Sequence, residues 1–377
     1  MKLGTTSAHL AYCTNIHPAE SWLETFEVLK THTLTVRDQV SADQPYAIGL
    51  RLSAVAAEEL LVGGSLAQFK EWLDCENCYV FTINGFPYGS FHGTRVKEKV
   101  YQPDWTSEKR LRYTNDLFAI IAALVPEGVD GSVSTLPGSF KEFSADESAI
   151  FKNLESCAEY IEKLSNECGK DLHLGLEPEP LGHFENTEET LAFFDRFLTV
   201  ASDPDLIRRR IGVNYDTCHF ALEFDDCRAS LDALRSAGLR ISKVHLSSAL
   251  EFDPSQAEAV QAIGQFDEPT YLHQVIVQHD DGSLTRFKDL PDFNSSIEDS
   301  SRARIHFHIP LYSEPAQPLK STAFHAREAL DYLRQHPEFC SHFEIETYTW
   351  GVLPSDLQIP IEQQIAREYQ WVLEAQS

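Results

Sequence analysis

Short apolar runs alternate with longer amphipathic segments along this chain, and that alternation restricts its fold more than any other feature. Nine runs rich in β-branched and aromatic residues, bounded by Gly, Pro, Asn or Asp, read as strands: 9–14, 46–52, 78–84, 131–136, 172–177, 211–216, 241–246, 304–309 and 342–347. Segments 20–31, 54–73, 107–124, 145–168, 187–201 and 228–237 carry helical periodicity between them. Strands that alternate with helices build parallel βαβ units, because a parallel pair needs a long crossover. An open doubly wound sheet and a closed barrel both satisfy the pattern. No GxGxxG or phosphate-binding loop follows the first strand, which removes the usual signature of the open nucleotide-binding sheet. The expectation is an α/β fold of the (β/α)8 TIM-barrel type, spanning 1–377 as a single domain with insertions, since 377 residues exceed a bare barrel. Nine candidate strands exceed eight by one. The surplus is expected among the first four, as an N-terminal or peripheral strand.

Two stretches interrupt the alternation. Residues 85–106 are rich in aromatics and too long for a plain turn. Residues 266–300 hold Asp280-Asp281-Gly282 between alternating segments, which predicts a hairpin-containing insertion. Long loops after strands sit at the mouth of a barrel, so both are read either as lids or as external decorations used in oligomer contact.

Charge narrows the partners. With 58 acidic and 31 basic residues the net charge is −27, and no Lys/Arg cluster builds a basic groove. Nucleic-acid binding needs cations that displace condensed counterions, so the charge argues against that class. Arg208-Arg209-Arg210 reads as a solvated helix end. No apolar stretch is long enough to span a membrane, and Met1–Ser7 lacks the apolar run of a signal peptide, so a cytoplasmic location is expected. Eight scattered cysteines suit a reducing compartment; Cys75 and Cys78 have redox-motif spacing but read as thiols at a helix–strand junction.

The chemistry lies at the strand ends. Glu177 closes Leu174-Gly175-Leu176, Asp216 closes Ile211–Tyr215, His245 ends Ile241–Val244, and Glu346 follows Phe343-Glu344-Ile345. One charged residue at a strand end is ordinary. Four on strands that open at one mouth would repel one another and be desolvated unless protonated, paired or bound to a cation. The basic residue near these ends is Lys243, on the face of His245 but deeper. A divalent metal held by Glu177, Asp216, His245 and Glu346 answers the problem, and three carboxylates with one imidazole suit Mn²⁺, Mg²⁺ or Zn²⁺. Glu179 and Glu344 are rivals for the roles of Glu177 and Glu346.

The order Glu177, then Asp216-Thr217-Cys218-His219, then Val244-His245, then Glu346 resembles the xylose-isomerase-like superfamily of ketose 3-epimerases, sugar-phosphate isomerases and endonuclease IV. The resemblance implies the same four metal ligands, with Glu177 and Glu346 also acting as the catalytic acid/base pair. More narrowly, Ala11–Pro18, Val96–Trp105, Gly175–Pro180, Asn214–Phe224, Phe266–His273 and Glu344–Trp350 are similar to the family called metabolite traffic protein EboE. That resemblance implies a bacterial operon that moves or processes secondary-metabolite precursors, with a small-molecule metabolite as partner, and possible contacts with a second copy or with other proteins of the operon. The chain departs from the epimerases after the ligand His: Leu246-Ser247-Ser248-Ala249-Leu250-Glu251 lacks their substrate-positioning Arg.

Further histidines are candidates for substrate. His306 and His308 alternate with Ile305, Phe307 and Ile309 and so share a face, either at the mouth, for substrate or a second metal, or as barrel-core histidines. His219 lies one helical turn past Asp216 as a substrate or second-shell group; a capping role is the alternative. His17 and His92 are weaker candidates for the mouth. Three functions remain: a metal-dependent isomerase or epimerase acting on a small oxygen-rich metabolite, a metabolite carrier, and an endonuclease IV-like hydrolase.

Overall fold

The computed structural model describes all residues except 5, 6, 42, 91, 94, 295–299, 355–357 and 377. Seven parallel strands follow one another: β1 (His9–Tyr12), β2 (Tyr46–Arg51), β3 (Cys78–Asn84), β4 (Gly131–Thr135), β5 (Leu172–Leu176), β6 (Ile211–Asp216) and β7 (Ile241–Leu246). An insertion then supplies β8 (Leu250–Phe252), β9 (Val275–His279), β10 (Leu284–Phe287), β11 (Ser300–Ile305) and β12 (Lys320–Ser321) before the chain returns to the barrel as β13 (His342–Ile345). The barrel order is β1-β13-β7-β6-β5-β4-β3-β2, and a parallel bridge between Cys13 and Gly49 brings its two ends together. This is an eight-stranded (β/α)8 barrel with flanking helices.

The helices start and stop for local reasons. Ser21 and Glu24 form a reciprocal capping box that opens helix Trp22–Val28. The periodic stretch at 54–73 is two helices, Ala54–Leu61 and Ser65–Cys75, because Gly63 and Gly64 take φ values of 64° and 84° that favour glycine and end the first helix.

The surplus strand is not among the first four candidates; all four are barrel staves. It is 304–309, whose beginning belongs to β11 in a separate antiparallel sheet ordered β10-β9-β11-β8-β12. The error has a physical source. Ile305, Phe307 and Ile309 are fully buried, but in the insertion's own core with Leu250, Val275 and Val277. Alternation reports a buried face and not which core buries it. Within this sheet β9 and β10 pair antiparallel around a turn where Gly282 has φ 85°. The insertion is held to the barrel by Arg286 on Glu223, by Gln274 Nε2 donating to Glu185 Oε2 at 2.8 Å, and by Arg304 stacked 4.1 Å over the Phe224 ring. The backbone N–H groups of Val96 and Lys97 both donate to Thr270 O, at 2.9 and 3.1 Å, so the 85–106 loop and the insertion meet over the mouth.

Candidate metal centre

Strand register assembles the site. Asp216 of β6 pairs with His245 of β7, and His245 pairs with Glu344 of β13, so these three lie in one layer of the barrel. Glu346 is one inward-facing position nearer the mouth, and Lys243 one layer deeper. Glu177 enters from the end of β5, where its N–H donates to Thr135 O at 2.9 Å.

His245 Nδ1 lies 3.1 Å from Glu177 Oε1 and 3.6 Å from Asp216 Oδ2, and the donor atoms of the three residues fall within 4.8 Å of one another. On its far side His245 Nε2 is 2.9 Å from Glu344 Oε2, an oxygen that also accepts from Lys243 Nζ at 2.6 Å. A carboxylate that takes the Nε2 hydrogen turns Nδ1 toward Glu177 and Asp216, where a metal would replace the second proton, the arrangement in which an outer carboxylate orients a ligating imidazole. Burial lowers the affinity of His245 for a proton, but the Glu177 and Asp216 carboxylates outweigh it and hold this imidazole well above its ordinary pKa.

Asp216 is fixed by being both strand end and helix cap. Its Oδ1 accepts from Cys218 N at 2.7 Å, His219 N at 3.2 Å and Ser247 Oγ at 2.5 Å, capping helix Thr217–Leu222. Its Oδ2, fully buried, finds no hydrogen-bond partner among the described residues. Burial alone would raise this carboxyl, yet the imidazoles of His219, His245 and His308 hold it well below the usual range. A buried, ionised oxygen without a hydrogen bond, beside a second carboxylate and an inward imidazole nitrogen, is a donor set that a divalent cation satisfies when it displaces the imidazole proton. Glu177, Asp216 and His245 therefore fit a metal.

Glu346 shares the mouth but not that three-residue group. Asn15 Nδ2 donates to its Oε1 at 2.6 Å. His308 Nδ1 lies 2.8 Å from its Oε2 and 2.9 Å from its backbone carbonyl, so Asn15 and this imidazole hold one carboxylate oxygen each. Glu344 is instead consumed by Lys243 and His245 inside the barrel, which separates the two glutamates that alternation left equivalent. Glu179 stays in play: its Oε2 is 3.3 Å from His219 Nε2, and burial, with the Glu177 and Asp216 charges, raises its carboxyl well above normal.

His306 and His308 are neither on a barrel strand nor in the barrel core. They lie just past β11, where Phe307 and Ile309 point into the insertion and the two imidazoles point back over the mouth. His308 Nε2 is 3.3 Å from His306 Nε2 and 3.4 Å from His219 Nε2. His219 Nδ1 donates to Pro178 O at 2.8 Å, and His308 Nδ1 donates to Glu346 O, so both turn Nε2 inward. Groupings of these three imidazoles with Glu179, Asp216 or Cys218 form a second place where donors converge. His17 and His92 are not among the residues lining the cavity; His17 Nε2 is 3.0 Å from the Tyr12 hydroxyl, and its ring stacks on His32 at 4.6 Å. Asn15 and Cys218 were missed from sequence, although Asn15 follows a strand end as the others do and Cys218 sits inside the Asp-x-x-His motif.

These groups open into a cavity of about 630 Å³, counted with its open mouth. Glu177, Glu179, His219, His306 and Glu346 form its polar floor, and Phe86, Val96, Tyr101, Tyr271, Leu272 and Tyr348 much of its wall.

No family model matches the sequence, and no curated protein matches it. Among solved structures it is similar to the probable 3-DHS dehydratase AsbF involved in petrobactin synthesis from Bacillus anthracis, at 10% identity and a TM-score of 0.49 over 96% of this chain and 97% of that one. It is also similar to the IOLI protein with a bound zinc atom, at 13% identity and a TM-score of 0.47 over 98% of each chain. A D-tagatose 3-epimerase-like protein matches at 13% identity and a TM-score of 0.49, over 97% of this chain and 98% of that one. The barrel assignment stands on the chain's own strand order. Among the described residues, no helix is long and apolar enough to cross a membrane.

Proposed function

We propose that this chain is a metal-dependent enzyme of the isomerase or epimerase kind, moving a proton on a small oxygen-rich metabolite. The observation that carries the reading is the convergence of Glu177, Asp216 and His245 around the partnerless Asp216 Oδ2. A divalent cation bound there supplies Lewis acidity toward adjacent hydroxyl and carbonyl oxygens. The protein's own part is positional. Asp216 is locked by its cap, His245 by Glu344 and Lys243, and Glu346 by Asn15. Glu177 and Glu346 face one cavity from β5 and β13 and exchange the proton with the substrate carbon, while the apolar wall limits water. The resemblance to metabolite traffic protein EboE extends this proposal to a place among proteins that process secondary-metabolite precursors.

Metal analysis of purified protein tests it. We expect about one divalent ion per chain, lost in Glu177→Ala/Asp216→Ala; wild-type protein that refuses added Mn²⁺ and Zn²⁺ overturns the reading. Incubation of loaded protein with candidate precursors in deuterated water separates enzyme from carrier. Solvent deuterium enters the compound in the first case, whereas the second gives binding alone.

The convergence of His219, His306 and His308 favours a second reading, a two-metal hydrolase. Two tightly bound ions per chain, falling to one in His306→Ala, would select it. The acidic surface argues against nucleic acid as its substrate.

A further inference from the structure

Resting on the metal reading above, we infer that the substrate carries its paired oxygens as an α-hydroxyketone, whose enediol is planar, on a flat and largely apolar skeleton that catechol mimics, and is not a free polyhydroxylated sugar. The cavity divides sharply by chemistry. Its lining combines carboxylates and imidazoles with two separate aromatic pairs. On one side Phe86 and Tyr101 pack edge to face, 5.6 Å between ring centres; on the other Tyr271 and Tyr348 do the same at 5.1 Å.

A sugar held here would need a partner for each hydroxyl that leaves water, because an unpaired buried hydroxyl forfeits its hydration. Three polar groups on the wall are already engaged. The Tyr101 hydroxyl donates to Pro180 O at 2.7 Å, Asn84 Oδ1 accepts from Phe86 N at 3.0 Å, and the Lys97 ammonium is bound to Asp289. An acceptor instead lies on the floor, where Asn15 Oδ1 is buried without a hydrogen-bond partner among the described residues. One end of the ligand is thus selected for oxygen, and the remainder for flat apolar surface that the rings can cover.

The test loads the full chain with Co²⁺, whose visible spectrum reports on the ligand field, and titrates it with catechol and, separately, with D-fructose. Saturable catechol binding that perturbs the cobalt bands, at least tenfold tighter than D-fructose, is expected. Leu272→Ser, at the half-buried rim, and Phe86→Ser should each weaken catechol at least fivefold while cobalt content stays at the wild-type level. Equal or tighter binding of D-fructose overturns the inference and leaves the metal centre standing. A protein that gives no cobalt spectrum overturns the metal reading, and this inference with it. Should Phe86→Ser fail to fold, the wild-type comparison and Leu272→Ser still decide.

Discussion

Lys243 Nζ lies 2.6 Å from Glu344 Oε2, with both side chains fully buried in the barrel and His245 Nε2 2.9 Å from the same oxygen. Burial raises the Glu344 carboxyl, but the Lys243 and His245 charges pull it down to about 2, so Glu344 is ionised in the folded protein. Removing one partner leaves an uncompensated charge in the interior, which costs about 3–5 kcal/mol. Lys243→Met should therefore destabilise the protein by that order in urea unfolding. Lys243→Met/Glu344→Gln, which removes both charges, should recover most of the loss. A double variant as unstable as the sum of the singles would show that the two side chains are not coupled.

The same carboxylate explains a glycine. A Cβ at Gly49 would run into Glu344 Oε1 and the Tyr12 carbonyl, and Glu344 cannot swing away without leaving Lys243 and His245. Gly49→Ala should cost about 1–3 kcal/mol through overpacking. It should also weaken metal binding by about tenfold, because the group that orients His245 is displaced. Calorimetric metal titration beside thermal unfolding checks both; unchanged metal affinity in a destabilised variant would confine the role of Glu344 to packing.

The barrel and three of its site residues were legible because each leaves a local mark. Asp216 and His245 close apolar runs, and a residue that ends a parallel strand must stand at the mouth of a barrel. Glu344 and Glu346 could not be told apart, since both point inward and only the register of β13 against β7 places Glu344 on His245. The histidine pair at 306 and 308 was legible as a shared face but not in its setting. Burial of Phe307 and Ile309 looks the same whether the partner is the barrel or an inserted sheet built from residues more than 20 positions away, such as Val275 and Val277.

Asp216 and Glu346 should differ when each is made neutral. Asp216 offers a partnerless oxygen inside the three-residue group, so Asp216→Asn removes a ligand charge and should lower Zn²⁺ affinity beyond the range of an outer partner, about 10–100-fold. Glu346 stands outside that group, tied to Asn15 at 2.6 Å, and Glu346→Gln should fall within the range and lose turnover more than metal. Competition titration against a chromophoric chelator measures both. Equal losses would place Glu346 among the ligands.

Glu368, on helix Ile361–Gln376, should make stability depend on pH. Its Oε1 accepts from Thr347 Oγ1 at 2.7 Å and Leu311 N at 3.1 Å, while its Oε2 is buried with no hydrogen-bond partner among the described residues. Burial raises this carboxyl to about 7 against these hydrogen bonds, from an ordinary value of 4.5. Below pH 4.5 both folded and unfolded chains hold the proton, and the group favours neither. Between 4.5 and 7 the unfolded chain releases it first, so stability falls as pH rises, and above 7 the loss is complete. The span corresponds to a change on the order of 3 kcal/mol. Glu368→Gln has no proton to lose and keeps an oxygen for Thr347 and Leu311. Measured by urea unfolding from pH 4.5 to 8, the variant should gain on wild type steadily up to about pH 7 and hold a constant advantage beyond. Parallel curves for the two proteins would mean that Glu368 is ionised in the fold and paired with a charge.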